Sequence, residues 1–294
     1  MLSTMTIPFE TTWHVRDAGL CLHTQRAAAL PFWARMHDTL EAELEAPMQT
    51  VESRSPVTIG ISGRRALPHI PRQTGEDRMT IQLTAFRWVP PFAQGYVRDL
   101  RVRWALEEAG LPYQATLIDP EIQASESYRR WQPFGQVPAY KDDDVEMFES
   151  GAIVLHIAAK SEVLAPSDPA GRARMATWVI AALNSIEPHV QNLVHLDVFH
   201  AGEAWTKERR PQAEAMVDQR LAALSAWLGD KDYLEGRFSA GDLIMTTVLR
   251  ELVDCGVLAR FPTLDAYRRR CEARPAFGRA METQMRPFRE NAPA

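Results

Sequence analysis

The hydrophobic pattern changes character near residue 80. Before it, no period of 2 or 3.6 is sustained, apart from helical spacing around residues 34–45, and Pro8, Pro31, Pro47, Pro56, Pro68 and Pro71 interrupt the stretch repeatedly. From Ile81 the pattern is regular. Ile81, Leu83 and Ala85 alternate with their neighbours, which predicts a strand that Pro90-Pro91 closes. Val97, Leu100 and Trp104, with Val102, Ala105 and Ala109 beside them, predict a helix over 97–109 that Gly110 stops. Residues 112–118 read as a second strand, so strand, helix and strand imply a right-handed crossover and a parallel pair. Pro138 then marks a strand entry, Lys141-Asp142-Asp143-Asp144 a turn, and Val145-Glu146-Met147-Phe148 a short partner strand. Glu149-Ser150 opens a helix over 151–160 with Ile153, Val154, Ile157 and Ala158 on its apolar side. The order is βαβ, a connection, then ββα.

After a proline-bearing linker over 161–169 the pattern is helical throughout. Residues 172–196 form one long segment that Pro188 should kink. Another helix covers 207–229. Ser239-Ala240-Gly241-Asp242 is a capping box, with Asp at the third helical position. It opens a helix striped with Ile244, Val248 and Leu252 and with Met245, Leu249 and Val253, apolar enough to be central. The run Arg268-Arg269-Arg270 reads as a solvated helix face.

Composition narrows the class. With 46% hydrophobic and 24% charged residues, the 294-residue chain has ordinary globular values and enough apolar mass for a sizeable core. No apolar stretch reaches the roughly 18 residues that span a bilayer, so no membrane partner is expected. A net charge of -5 argues against nucleic acid as a partner. Three scattered cysteines (Cys21, Cys255, Cys271) make no disulfide scaffold and no Cys-x-x-Cys pair, which suits a reducing cytoplasm. The histidines lack ligand spacing, and no metal is expected.

Residues 1–78 carry nine acidic and eight basic residues and no apolar leader segment, so neither a transit peptide nor a secretory signal is expected. Two readings stand: a poorly structured extension, or a start placed too far upstream, with Met79 as the true start. The codons of Gly75-Glu76-Asp77 are necessarily purine-rich, as a bacterial ribosome-binding sequence before Met79 would be. Only four of the 33 basic residues are lysine, which fits GC-rich DNA, where stop codons are scarce and upstream extension is common.

Three pieces then occur in order: Val102-Arg103-Trp104-Ala105-Leu106-Glu107-Glu108-Ala109-Gly110-Leu111-Pro112-Tyr113, Pro133 to Pro138, and Glu149-Ser150-Gly151-Ala152-Ile153. Over about 79–288 the sequence resembles the glutathione S-transferase superfamily. The resemblance implies an α/β thioredoxin-like domain over 79–162 that binds glutathione, followed by an all-α helical-bundle domain over 168–288. It implies a cis peptide bond at Val137-Pro138, beside which the Val137 backbone pairs with extended glutathione. Ser150 would receive the γ-glutamyl carboxylate at a helix N-terminus, Glu149 its ammonium, and Gln136 the backbone or a carboxylate.

The family activates the thiol with a Tyr, Ser or Cys after the first strand. Neither Ser nor Cys occurs in 81–124, and the corresponding position falls on Tyr96, with Arg98 nearby to add positive charge. The resemblance thus implies a cytoplasmic, homodimeric detoxification enzyme with glutathione as co-substrate. Tyr96 would be catalytic, with Gln136, Val137, Pro138, Glu149 and Ser150 binding the substrate. The acceptor is a small hydrophobic electrophile or a disulfide, held between the 87–96 loop and the first long helix, near Trp178. Two alternatives stay open. One is a maleyl-acid isomerase, which Leu100-Arg101-Val102-Arg103 suggests although the Ser-Ser-Cys signature of that branch is missing. The other is a non-catalytic binding or regulatory module.

Overall fold

The computed structural model describes residues 4–6, 12–16, 19–21 and 80–293. The chain divides into two compact units, Met1–Ile70 and Pro71–Ala294. In the first, β1 (Thr4–Thr6), β2 (Thr12–Arg16) and β3 (Gly19–Cys21) form an antiparallel sheet in that order. Strands of three to five residues are too short for a period of two to show in the sequence. The helix expected around 34–45 and the start expected at Met79 lie outside the described residues.

The second unit opens with β4 (Ile81–Phe86), α1 (Asp99–Ala109) and β5 (Tyr113–Ile118). β4 and β5 pair in parallel from Ile81 opposite Tyr113 to Phe86 opposite Ile118, as strand–helix–strand order implies. Gly110 ends α1 with a left-handed φ of 65°, which costs a residue without Cβ nothing. Two short helices, α2 (Pro120–Ala124) and α3 (Glu126–Trp131), occupy the connection. Their starts carry ordinary signals: the Asp119 side chain accepts from Ile122 N–H with Pro120 next, and Ser125 Oγ accepts from Tyr128 N–H. Next come β6 (Ala139–Lys141), β7 (Glu146–Phe148) and α4 (Ser150–Ala158). The four strands lie in the order β5-β4-β6-β7, a mixed sheet of thioredoxin-like form.

The remainder is helical: α5 (Pro169–Ala181), α6 (Glu187–Val194), α7 (Ala204–Leu228), α8 (Ala240–Arg250), α9 (Pro262–Glu272) and α10 (Pro275–Glu290). The single kinked helix expected over 172–196 is instead broken by two π-turns, Ala182–Ile186 and His195–Phe199, on either side of α6. Pro188 has no N–H to offer the preceding turn, and the ladder widens just before it.

α8 is buried from Ala240 to Leu249. Its capping box forms as the sequence implies: Ser239 N–H donates to Asp242 Oδ2 at 3.0 Å. Asp242 Oδ1 also receives Leu234 N–H and the Tyr267 hydroxyl, each at 2.9 Å. A Cβ on Gly241 would stand 2.7 Å from the Cβ of Trp178, so only glycine allows α5 to approach so closely.

α1 packs against α4, α8 and α10, and one core runs from Leu83 in the sheet to Ala280 in α10. Its arginines are therefore inside. Arg103 Nε bonds Asp99 Oδ2 at 2.7 Å, while Gln284 Nε2 donates to Asp99 Oδ1 at 2.6 Å, tying α10 to α1. Arg268, expected on a solvated face, is buried between Asp265 and Glu272, while Arg269 and Arg270 do face solvent. No helix among the described residues is long and apolar enough to cross a membrane.

Candidate functional site

The β6–β7 register brings two distant sequence pieces together. Ala139 pairs with Phe148 and Lys141 with Glu146, so Pro138 and Val137 run past β6 alongside Glu149 and Ser150. β4 lies antiparallel to β6 with Leu83 opposite Tyr140, which brings the C-terminal end of β4 to the same edge. Ligands of parallel sheets collect outside such strand ends.

The Val137–Pro138 peptide bond is cis. Both flanks of that step are held by one buried hydrogen-bond relay. Ala139 N–H donates to Thr84 Oγ1 at 2.7 Å, Thr84 Oγ1 lies 3.0 Å from Tyr128 Oη, and Tyr128 donates to the Gln136 carbonyl at 2.6 Å. Burial raises the pKa of Tyr128, keeping its proton available for that carbonyl. Neither Val137 N–H nor its C=O has a hydrogen-bond partner among the described residues. Glu149 stands at φ 70°, the only non-glycine positive φ among them, and is exposed. Ser150 begins α4, buried, and its Oγ accepts from Arg101 Nη1 at 3.3 Å.

Above this edge lies a cavity of about 550 Å³. Its thioredoxin-like wall includes Phe86, Phe92, Tyr96, Arg98, Gln136 and Val137. Its helical wall comes from α6 with its trailing π-turn (Gln191, Val194, Asp197, Val198, Phe199) and from the segment just past α8 (Glu251, Asp254, Cys255). Phe92 and Phe199 meet edge to face across it with centroids 5.6 Å apart. The loop is pinned from α8: Arg250 Nη1 donates to the Gly95 carbonyl at 2.8 Å, and its guanidinium lies 5.2 Å from the Tyr96 ring centre.

Among known proteins, residues 92–159 match the family model "Glutathione S-transferase, N-terminal domain". A glutathione S-transferase of Hyoscyamus muticus is 29% identical over 197 residues, 62% of this chain and 92% of that protein. The disulfide-bond oxidoreductase YfcG of Escherichia coli (strain K12) is 25% identical over 191 residues, 60% of this chain and 86% of that protein. In structure, a glutathione transferase of Burkholderia graminis with two glutathione molecules bound per subunit aligns with TM-score 0.63 and 26% identity, covering 70% of this chain and 89% of that one. Residues 92–159 carry the N-terminal domain of the glutathione transferase family.

Against that family pattern, Tyr96, Gln136 and Val137 share the cavity, whereas Pro138, Glu149 and Ser150 lie beside it on the strand edge and helix start. The Tyr96 hydroxyl donates to Asp254 Oδ2 at 3.2 Å. Burial, then the Asp254 carboxylate, raises its pKa, so it is a neutral donor at physiological pH. Arg98 is paired with Glu187 at 2.9 Å rather than free. Trp178, expected near the acceptor pocket, is elsewhere: it stacks on Trp227 and donates to Glu235. The helical wall of the cavity comes instead from α6 and the π-turn after it.

What the sequence did not disclose is a buried charge cluster behind the cavity. The Arg101 guanidinium, 3% exposed, bonds Glu187 Oε1 at 2.9 Å, Thr247 Oγ1 at 3.0 Å and Ser150 Oγ at 3.3 Å. Burial would raise the pKa of Glu187, but the Arg101 and Arg98 guanidiniums outweigh it and hold the group below the ordinary carboxylate range. Asp142, Asp144 and His156 also converge, but the Lys160 ammonium already bridges the two carboxylates at 2.7 and 2.8 Å. An arginine set between Leu100 and Val102 on an apolar helix was the available signal for the first cluster; its partners lie 49 to 146 residues away.

Proposed function

We propose that the protein is a glutathione S-transferase that activates the glutathione thiol for transfer to a small hydrophobic electrophile or a disulfide. The observation that carries this reading is the strand register that sets Val137-Pro138 beside Glu149-Ser150 under a cavity lined by Tyr96. Glutathione-bound relatives such as the Burkholderia graminis enzyme support the choice of ligand. In this reading the free Val137 backbone pairs with the peptide, Gln136 and Pro138 flank it, the α4 N-terminus with Ser150 takes the γ-glutamyl carboxylate, and exposed Glu149 takes the ammonium. Likeness to the Escherichia coli disulfide-bond oxidoreductase supports the disulfide arm. A homodimer in a glutathione-rich cytoplasm, working in detoxification, completes the reading.

A free thiol titrates near 8.5, and the thiolate is the nucleophile, so the site must supply a donor. Tyr96 is that donor when its O–H turns from Asp254 to the sulfur. Asp254 is exposed, so water takes over its lost hydrogen bond at a net cost of about 1 kcal/mol. A charge-assisted bond to thiolate is worth about 1.5–3 kcal/mol, so the exchange is favourable. The test is glutathione binding and conjugation of chlorodinitrobenzene by the wild type and Tyr96→Phe. Turnover should fall about tenfold or more in Tyr96→Phe, with the pH profile displaced upward. Equal turnover would remove Tyr96 as activator, binding without any turnover would favour a non-catalytic module, and no binding at millimolar glutathione would discard the reading.

A further inference from the structure

We propose that Glu251 is the proton donor of the acceptor half of the cleft, and that the acceptor it serves is a neutral α,β-unsaturated carbonyl compound. This rests on the glutathione-activating reading of the same site.

Glu251 sits at the C-terminal end of α8 and lines the cavity with its side chain only 11% exposed. Its Oε2 accepts from the Gln191 amide, which fixes the carboxyl in orientation. Its Oε1 has no hydrogen-bond partner among the described residues; the nearest cation, Arg101 Nη2, is 3.9 Å away. That guanidinium is already committed to Glu187, Thr247 and Ser150. A largely buried carboxyl, beside a cation that a second carboxylate has claimed, keeps its proton longer than an ordinary glutamate. Burial is the largest influence; Glu187 adds to it, while Arg101, Arg98 and Arg250 oppose it, and the group is pushed up to about 7. The other groups facing this corner do not replace it. Asp254 is exposed to solvent, Asp197 is held by Arg210, and burial raises Cys255 while its thiol bonds the Leu252 carbonyl. A donor poised near the working pH is what general acid catalysis requires.

Charge selects the acceptor. Among the described lining residues Arg98 is the one cation and is paired with Glu187; of the lining carboxyl groups, Asp197 is paired with Arg210 and Glu251 holds its proton, which leaves Asp254 with no cation partner among the described residues. A second anion, such as glutathione disulfide or a maleyl-type diacid, meets repulsion there, whereas a neutral molecule between Phe92, Val198 and Phe199 does not. A neutral acceptor that needs a proton is one whose attack leaves an oxyanion and expels nothing. The glutathione sulfur forms a bond to the β-carbon, the carbon–carbon π pair shifts toward the carbonyl, and the enolate oxygen takes the proton of Glu251. The enol tautomerises to the saturated carbonyl thioether. Solvent returns a proton to Glu251, equal to the one the thiol released, so the sum is plain addition. Substitution on chlorodinitrobenzene expels chloride and needs no such proton.

The experiment measures glutathione addition to benzalacetone and conjugation of chlorodinitrobenzene by the full-length wild type, Glu251→Gln and Glu251→Asp across pH 5.5–8.5. In the wild type the benzalacetone rate should fall above about pH 7 as Glu251 ionises, a limb the chlorodinitrobenzene rate lacks. In Glu251→Gln the ratio of benzalacetone to chlorodinitrobenzene turnover should drop about tenfold or more and the limb vanish; Glu251→Asp should restore part of both. Partial unfolding lowers both rates together and leaves the ratio alone. A wild-type ratio and limb in Glu251→Gln, with conjugation intact, would overturn the role of Glu251 and leave the glutathione reading standing. A wild type that conjugates neither acceptor would overturn both.

Discussion

The buried relay that runs from Ala139 through Thr84 and Tyr128 to the Gln136 carbonyl shows how much of this site depends on two hydroxyls outside the cavity wall. Each hydroxyl in it gives one hydrogen bond and takes one, so removing a member strands its neighbours. Thr84→Val keeps the shape but leaves the buried Ala139 N–H without its acceptor, and thermal unfolding should show a loss of about 1–3 kcal/mol. The Tyr96–Asp254 bond makes the opposite kind of prediction. Asp254→Ala removes the acceptor that competes for the Tyr96 proton, so the bound glutathione thiol should ionise at lower pH than in the wild type, read from thiolate absorbance. An unchanged titration would mean that Tyr96 does not face the sulfur.

Elements set these residues in place, and their sequence signals differ in strength. β4, β5 and the α8 capping box were legible because alternation, periodicity and cap chemistry all act within a few residues. The same holds for Gly110, whose left-handed φ is a local requirement. The π-turns around α6 were not, since Pro188 announces a disturbed ladder but not which way it yields. Arg101 is buried through tertiary pairing with Glu187, whereas Arg103 pairs locally with Asp99 one turn away and is closed in by Gln284 and Thr283 of α10. Two further outcomes follow at this scale. Gly241→Ala forces a Cβ against Trp178 and should lower stability by about 1–3 kcal/mol in denaturant unfolding. Asp242→Ala leaves Ser239 N–H, Leu234 N–H and the Tyr267 hydroxyl unpaired, and should cost more than the roughly 1 kcal/mol expected for Ser239→Ala alone.

Across the second unit, the cluster of Arg98, Arg101, Glu187 and Glu251 joins the first helix of the thioredoxin-like part to the helical part directly behind the cavity. Its energetics depend on pH. Glu251 titrates near 7 in the folded protein and near 4.5 in an unfolded chain, so the folded state binds the extra proton between those values. Stability from this group is therefore present at low pH and lost as pH rises from about 4.5 to 7, by at most about 3 kcal/mol. Glu187, held below its ordinary range, has the opposite slope, but only at lower pH. The stability of the wild type minus that of Glu251→Gln should accordingly shrink between pH 5 and pH 7.5; a constant difference would show that Glu251 titrates normally.

Whether the edge formed by Val137-Pro138 and Glu149-Ser150 holds glutathione is read by calorimetric titration of the full-length chain with reduced glutathione. Saturable binding is expected with a Kd of about 1 mM or tighter, weakened about tenfold in Ser150→Ala, where the carboxylate loses one hydrogen bond. No binding heat up to about 10 mM glutathione, or equal affinity in Ser150→Ala, would contradict it.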